Sequence, residues 1–258
     1  MSITKHIHHH GHIDDIIARH PSLEKFKHST IRENSDFKWR NTRTNTFSWQ
    51  AVVSFFGKSG YGKSSTVNAF FGEPILKTSD VAACTNRCDC LDFKISDNYL
   101  LSFADYPGIG ESEYKDKEYL EMYKSFLASS NIVVYVLRAD MRDYAIDEHA
   151  FQTVFPRDED KQKVVFCMNC CDKIEPISRK DFGIPSAEQM INIEKKIKTL
   201  QGFFQPHHPI IPYSAQTSWN LDALAEAIVK VAEKGNDINF HPIVGYKSHS
   251  IFYKKQMA

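Results

Sequence analysis

The 258-residue chain carries no charge excess, no long apolar run and few cysteines. Its 32 Lys+Arg balance 32 Asp+Glu, so no global field draws it to nucleic acid or to an acidic membrane, and partners have to be read from sites. The longest purely apolar run near the middle, Ile132 to Leu137, falls far short of the ~20 residues that a membrane helix requires, and no transmembrane segment is expected. Six cysteines fall in two clumps, Cys84, Cys88 and Cys90 and then Cys167, Cys170 and Cys171. No signal-peptide-like stretch precedes them, so free thiols in a reducing cytoplasm are the expectation. Internal repeats and low-complexity tracts are also absent. The length allows one domain with extensions, whose core needs no covalent staples.

Against this even background one segment stands out. Gly57 to Ser64 reads G-x-x-x-x-G-K-S, preceded by the apolar stretch Ala51 to Phe56 and followed by the helix-like Ser65 to Phe71. Glycines permit a tight turn that aims successive N–H groups at phosphate oxygens. Lys63 can bridge the β and γ phosphates, and the Ser64 hydroxyl can ligate Mg²⁺. The match alone would be a glycine-rich turn; strand and helix in their places make it a nucleoside triphosphate site.

Strand-like stretches near 51–56, 89–95, 99–104, 131–137, 163–168 and 209–213 alternate with helix-like ones near 63–72, 116–128, 145–155, 186–201 and 220–234. Such alternation predicts an α/β fold, a mostly parallel six-stranded sheet with helices on both faces. The Asp97-Asn98 turn between two adjacent strand signals makes one of the edge strands antiparallel. Asn220 reads as the N-cap of the last helix, with Asp222 in its first turn. Residues 1–46 are polar apart from Ile13, Ile16, Ile17, Leu23 and Phe26, whose spacing suggests a short amphipathic helix interrupted at Pro21, and they read as an appendage. Residues 236–258 read as a tail.

Three more strand ends carry chemistry. Asp105-Tyr106-Pro107-Gly108 is D-x-x-G: a carboxylate that can hold Mg²⁺ and a glycine whose N–H can approach a γ-phosphate without a Cβ in the way. Thr85, between it and the phosphate loop, offers a hydroxyl that could complete the metal's coordination. Asn169-Cys170-Cys171-Asp172 follows a strand, and Asp172 there can accept hydrogen bonds from guanine N1 and N2, a pattern adenine cannot supply. At Ser214-Ala215 a backbone N–H could reach guanine O6. Ligands of open α/β sheets bind at the carboxyl ends of the strands, and all four segments lie there.

Other signals have ordinary readings. His6, His8, His9, His10 and His12 lack a paired ligand at fixed spacing and read as a tail, and the cysteine spacings fit no common zinc template. Asp147-Glu148-His149 holds groups able to do acid/base work, but Asp147 reads as a helix cap and His149 as solvent-facing.

Taken together, GKSGYGKSS, NAFFG, SDVAACT, DYPGIGES, DEH, NCCDKIEP and SAQTSWNLDALAEAI stand in the order seen in the small GTPase superfamily. Over roughly residues 49–234 the chain resembles its Era/TrmE-like branch and bacterial relatives similar to immunity-related GTPases. The resemblance implies a G domain over 47–235. Ser59, Gly60, Tyr61, Gly62, Lys63, Ser64 and Ser65 would form the phosphate loop, Thr85 would be the switch I threonine, and Asp105 to Gly108 would begin switch II. Asn169, Asp172, Ser214 and Ala215 would read the base. Three departures stand out. Cys170 replaces the usual Lys, Gly60 stands where potassium-using members carry Asn, and Ile109 stands where Ras-like proteins carry a water-orienting Gln. What these residues imply is a cytoplasmic Mg²⁺-dependent GTPase, slow on its own, with Lys63, Thr85 and Gly108 as catalytic groups and Ser64, Thr85 and Asp105 at the metal. The other reading is a GTP/GDP-binding module that barely hydrolyses and controls dimerisation or docking. A nucleotide-dependent homodimer suits either reading.

Overall fold

Strands apolar on both faces build the centre of the molecule, because they are covered on both sides. The computed structural model describes residues 4–31, 38–41, 46–78, 88–177, 183–235 and 237–241. In chain order these hold β1 (Thr4–His12), α1 (Ile13–Ile17), α2 (Glu24–Lys27), β2 (Ser29–Ile31), β3 (Lys38–Asn41), β4 (Thr46–Gly57), α3 (Lys63–Phe71), β5 (Cys88–Ser96) and β6 (Tyr99–Asp105). There follow α4 (Glu113–Leu127), β7 (Ile132–Arg138), α5 (Ala145–Val154), α6 (Asp158–Gln162), β8 (Val164–Asn169), α7 (Ala187–Phe204), β9 (Ile211–Pro212), α8 (Leu221–Lys234) and β10 (Ile238–Phe240).

The six expected strands are β4 to β9, and they lie in the order β5-β6-β4-β7-β8-β9. All neighbours among them run parallel except β5 and β6, the hairpin turned at Asp97-Asn98. Two further strands widen the sheet: β1 lies parallel outside β5, so the stretch from His6 to His12 is a sheet strand and not the tail its composition suggests, and β3 pairs antiparallel with the first residues of β4.

The period-2 alternation of the strands sorts their side chains into two cores. On β7, Ile132, Val134 and Val136 face the core shared with α3 and α8, whereas Val133, Tyr135 and Leu137 face the one shared with α4, α5 and α7. β8 divides in the same way, with Val165 and Cys167 to one side and Val164, Phe166 and Met168 to the other. Helix ends follow local chemistry. Ser112 accepts from the Lys115 N–H at the start of α4, and Ser186 and Gln189 form a capping box on α7. Asn220 stands at the N-cap of α8 in the left-handed conformation, and its side chain donates to the Pro212 carbonyl rather than capping.

The N-terminal segment is packed in. Pro21 interrupts it as expected, opening a 3₁₀ turn (Pro21–Leu23) between α1 and α2. Ile13, Ile16, Leu23, Phe26 and Ile31 are buried in the same core as α3 and α8, His20 Nδ1 meets Asp222 at 2.7 Å, and β2 pairs with β10. Thus the segment from α1 to β2 closes over one face of the sheet together with α8 and β10. Phe26 is fully buried and meets Phe240 edge to face at 5.5 Å. Phe26→Ala should therefore cost about 3–4 kcal/mol in chemical denaturation, whereas an independent appendage would leave the midpoint unmoved.

Candidate functional site

The phosphate loop leaves β4 at Gly57, where a Cβ would collide with the Val136 carbonyl, and enters α3 at Lys63. Gly60 and Gly62 both take positive φ, +75° and +87°, which favours glycine. The loop's carbonyls are held by side chains. Buried Lys63 donates to the Gly57 and Lys58 carbonyls, both at 3.1 Å, and Arg138 donates to that of Gly60 at 3.2 Å. Asn169 donates to the Tyr61 carbonyl at 3.0 Å and Thr66 to that of Gly62 at 2.7 Å. Burial pulls the Lys63 ammonium below the usual lysine range, against the opposing fields of Asp105, Asp147 and Glu111.

Ser64 and Asp105, forty-one residues apart, are in direct contact: the hydroxyl donates to Asp105 Oδ2 at 2.6 Å. A hydroxyl and a carboxylate converging beside a lysine are the hard oxygen donors that suit Mg²⁺. Ser65 follows in the first turn of α3, half-buried. Thr85, assigned to the same metal, lies outside the described residues, as does Cys84.

Switch II is pressed against the loop. The Ser59 N–H donates to the Ile109 carbonyl at 2.8 Å, and the Tyr123 hydroxyl of α4 ties the Pro107 carbonyl (2.6 Å) to that of Gly57 (3.3 Å). Gly108 lies so close that a Cβ there would stand 2.5 Å from Ser59 N and 2.7 Å from Lys63 Nζ. Ile109 is buried in the core with α4 rather than aimed at the loop. Glu111, two residues on, faces it instead: Ser59 Oγ donates to its Oε1 at 3.4 Å and Lys115 to its Oε2 at 2.9 Å. No chemical motif singles out Glu111 in the sequence; only its nearness to Ile109 does.

At the base end, Asn169 joins two loops, donating to Tyr61 and accepting the Ala215 N–H at 3.0 Å. The Ser214 hydroxyl donates to Asp172 Oδ1 at 2.7 Å, so Asn169, Asp172, Ser214 and Ala215 form one cluster beside the phosphate loop. In this arrangement the N–H assigned to guanine O6 is engaged by Asn169. Cys170 holds a left-handed φ of +62°, and burial pushes its thiol up to about 11.

One expectation is corrected. Asp147 caps nothing, since α5 begins after Tyr144; the carboxylate is completely buried in the helix's first turn and accepts the Tyr61 hydroxyl at 3.2 Å. An acidic residue early in a helix suits the helix dipole as well as a cap does, so the sequence could not separate the two.

Residues 52–170 match the family model described as 50S ribosome-binding GTPase. The uncharacterized protein YfjP of Escherichia coli (strain K12) is 37% identical over 183 residues, 70% of this chain and 62% of YfjP; the chain thus spans less than two thirds of that relative. Among solved structures, Era from Aquifex aeolicus bound to GDP and AlF4⁻ superposes with a TM-score of 0.57 at 24% identity, covering 70% of this chain and 56% of Era. Toc33 from Arabidopsis thaliana with Mg²⁺ and GMPPNP gives 0.57 at 18% identity, over 89% and 95% of the two chains.

Gly108→Ala should push switch II off the phosphate loop, because Ser59 backbone cannot yield by rotating a side chain. On the GTPase reading proposed below, phosphate release should fall at least tenfold while diphosphate affinity changes only a few-fold. Equal loss of both would mean that the close approach serves folding.

Proposed function

We propose that the chain is a P-loop GTPase of the Era/TrmE type, a reading supported by the match of residues 52–170 to a GTPase family model, and that it binds GTP and GDP with Mg²⁺, hydrolyses GTP to GDP and phosphate, and acts as a nucleotide-dependent switch. The observation that carries this reading is the contact between Ser64 and Asp105 at 2.6 Å. It brings the metal-binding oxygens of two distant motifs to one point beside Lys63.

In this reading the N–H groups of residues 59 to 65 and the ammonium of Lys63 bind the phosphates. Gly108 brings its N–H to the γ-phosphate, and Asp172 selects guanine. Ser64, Asp105 and Thr85 would hold Mg²⁺, which when bound offsets charge on the β and γ phosphates. Ile109 has no polar atom on its side chain and is buried, so it orients no water. Glu111 is the switch II carboxylate that reaches the phosphate loop, and it is the group to hold the attacking water. Engaged by Ser59 and Lys115, it would have to turn toward the phosphate, which favours a slow resting rate. Pairing of two copies across the nucleotide face is the way we expect that rate to rise. Toc33, which shares the fold, is one of two proteins for which dimerization is important for GTPase activity.

The alternative, a module that binds without turnover, draws support from the burial of Ile109 and from Cys170 in place of a stem that packs on the base. Phosphate release at saturating GTP and Mg²⁺, across a wide range of protein concentration, separates the two, with ATP as competitor to test the base. A rising specific activity supports a self-activating GTPase; none at any concentration leaves the binding module.

Two substitutions test the assignments. Asp172→Asn should shift preference from GTP toward XTP, whose C2 carries oxygen where guanine has an amine, with GTP affinity falling on the order of tenfold or more. An unchanged ranking would make this loop a mere turn. Glu111→Gln should lower phosphate release by about 10²-fold at nearly constant GTP affinity, the scale of a positioned proton-transfer group. A fully active variant would place the water-orienting group elsewhere.

A further inference from the structure

Beneath the phosphate loop lies a buried carboxylate that the reaction outlined above does not use. Asp147 has no solvent exposure; one oxygen accepts the Tyr61 hydroxyl at 3.2 Å, and the other, Oδ1, is buried with no hydrogen-bond partner among the described residues. Its own backbone carbonyl accepts the Tyr135 hydroxyl at 3.2 Å, which anchors the first turn of α5 to β7. Tyr61 in turn is 2% exposed, and its carbonyl is the one held by Asn169. A single loop residue is therefore gripped at both ends, by α5 through its side chain and by the base-end cluster through its backbone. An aliphatic side chain would fill this space without requiring a buried ionisable partner. Burying a half-satisfied carboxylate is costly, and the cost is unexplained by packing.

We propose that Asp147 is a positioning residue for the phosphate loop, acting through Tyr61 to set the backbone that enters the Gly62-Lys63 turn and placing a titratable charge under the phosphates. This rests on the GTP-binding reading above. The groups facing the carboxylate are Tyr61 and Lys58 from the loop, Lys63 from α3, Tyr135 from β7, Tyr123 from α4, and Asp143 and Tyr144 ahead of α5. Burial pushes the Asp147 carboxyl up to about 7, against the hydrogen bond from Tyr61 and the fields of Lys58 and Lys63. A polyphosphate brought onto the loop adds negative charge close by and draws those cations to itself, so it raises the carboxyl further. The bound state then holds more protons than the free state. Nucleotide binding takes up a proton near neutrality, and affinity strengthens as pH falls through 7.

The test is calorimetric titration of the intact chain with GDP and with a non-hydrolysable GTP analogue. It is run in excess Mg²⁺, from pH 6 to pH 8, in two buffers of different ionisation enthalpy. Near pH 7 we expect uptake of up to half a proton, an affinity that weakens several-fold from pH 6 to pH 8, and a larger effect for the triphosphate analogue. Asp147→Asn should abolish both the uptake and the pH slope. Tyr61→Phe should keep the slope and weaken binding at every pH, since the carboxylate remains while its grip on the loop is lost. Binding with no proton uptake by the parent, or with the same slope in Asp147→Asn, overturns this inference alone. No binding of either nucleotide overturns the GTP-binding reading beneath it. Should Asp147→Asn fail to fold, the two-buffer measurement on the parent still decides.

Discussion

A loop that spends its N–H groups on a ligand must have its carbonyls held by something else, and the site is organised around that requirement. Five carbonyls between residues 57 and 62 accept hydrogen bonds, from Lys63, Tyr123, Arg138, Asn169 and Thr66. The donors come from four elements: Lys63 and Thr66 from α3, Tyr123 from α4, Arg138 from the end of β7 and Asn169 from the end of β8. Uncompensated, the buried carbonyls of Gly57 and Tyr61 would carry the penalty of a lost hydrogen bond. The shell fixes the direction of the loop's backbone groups, which is the condition for binding a charged group with backbone dipoles.

The same shell links the two ends of the site. Asn169 touches both Tyr61 and the Ala215 N–H, and Tyr123 touches both Gly57 and Pro107. One hydroxyl thus joins the Pro107 turn to the start of the phosphate loop, and one amide joins the base-end cluster to its middle. Between them the sheet supplies registration. β4, β7 and β8 run parallel, so their carboxyl ends finish in one row and deliver Gly57, Arg138 and Asn169 side by side.

Two of the three departures from common GTPase patterns, Ile109 and Cys170, have a local physical account. Ile109 is apolar because its side chain is committed to the core with α4, while its carbonyl meets Ser59. Cys170 occupies a left-handed turn, which costs a non-glycine residue about 1 kcal/mol and leaves no long stem to lie along a base. The polar side chain that reaches the loop beside Ile109 is that of Glu111, which accepts from the Ser59 hydroxyl.

Strand and helix order, the phosphate loop, the D-x-x-G turn and the base-end segments are legible from the residues, because each depends on neighbours in sequence: an apolar run, then a glycine or a carboxylate at its end. Pro21 as a break and Asp97-Asn98 as a turn are local in the same sense. Three things are decided only in the folded molecule. The polar N-terminal segment contributes Ile13, Leu23 and Phe26 to the core, because α8 and β10 return to meet it from more than two hundred residues away. Ser64 meets Asp105 because β4 and β6 pair in a fixed register. Asp147, which a sequence reading takes for a cap, sits instead under Tyr61, since the direction a helix's first turn faces is set by what it packs against and not by its own residues.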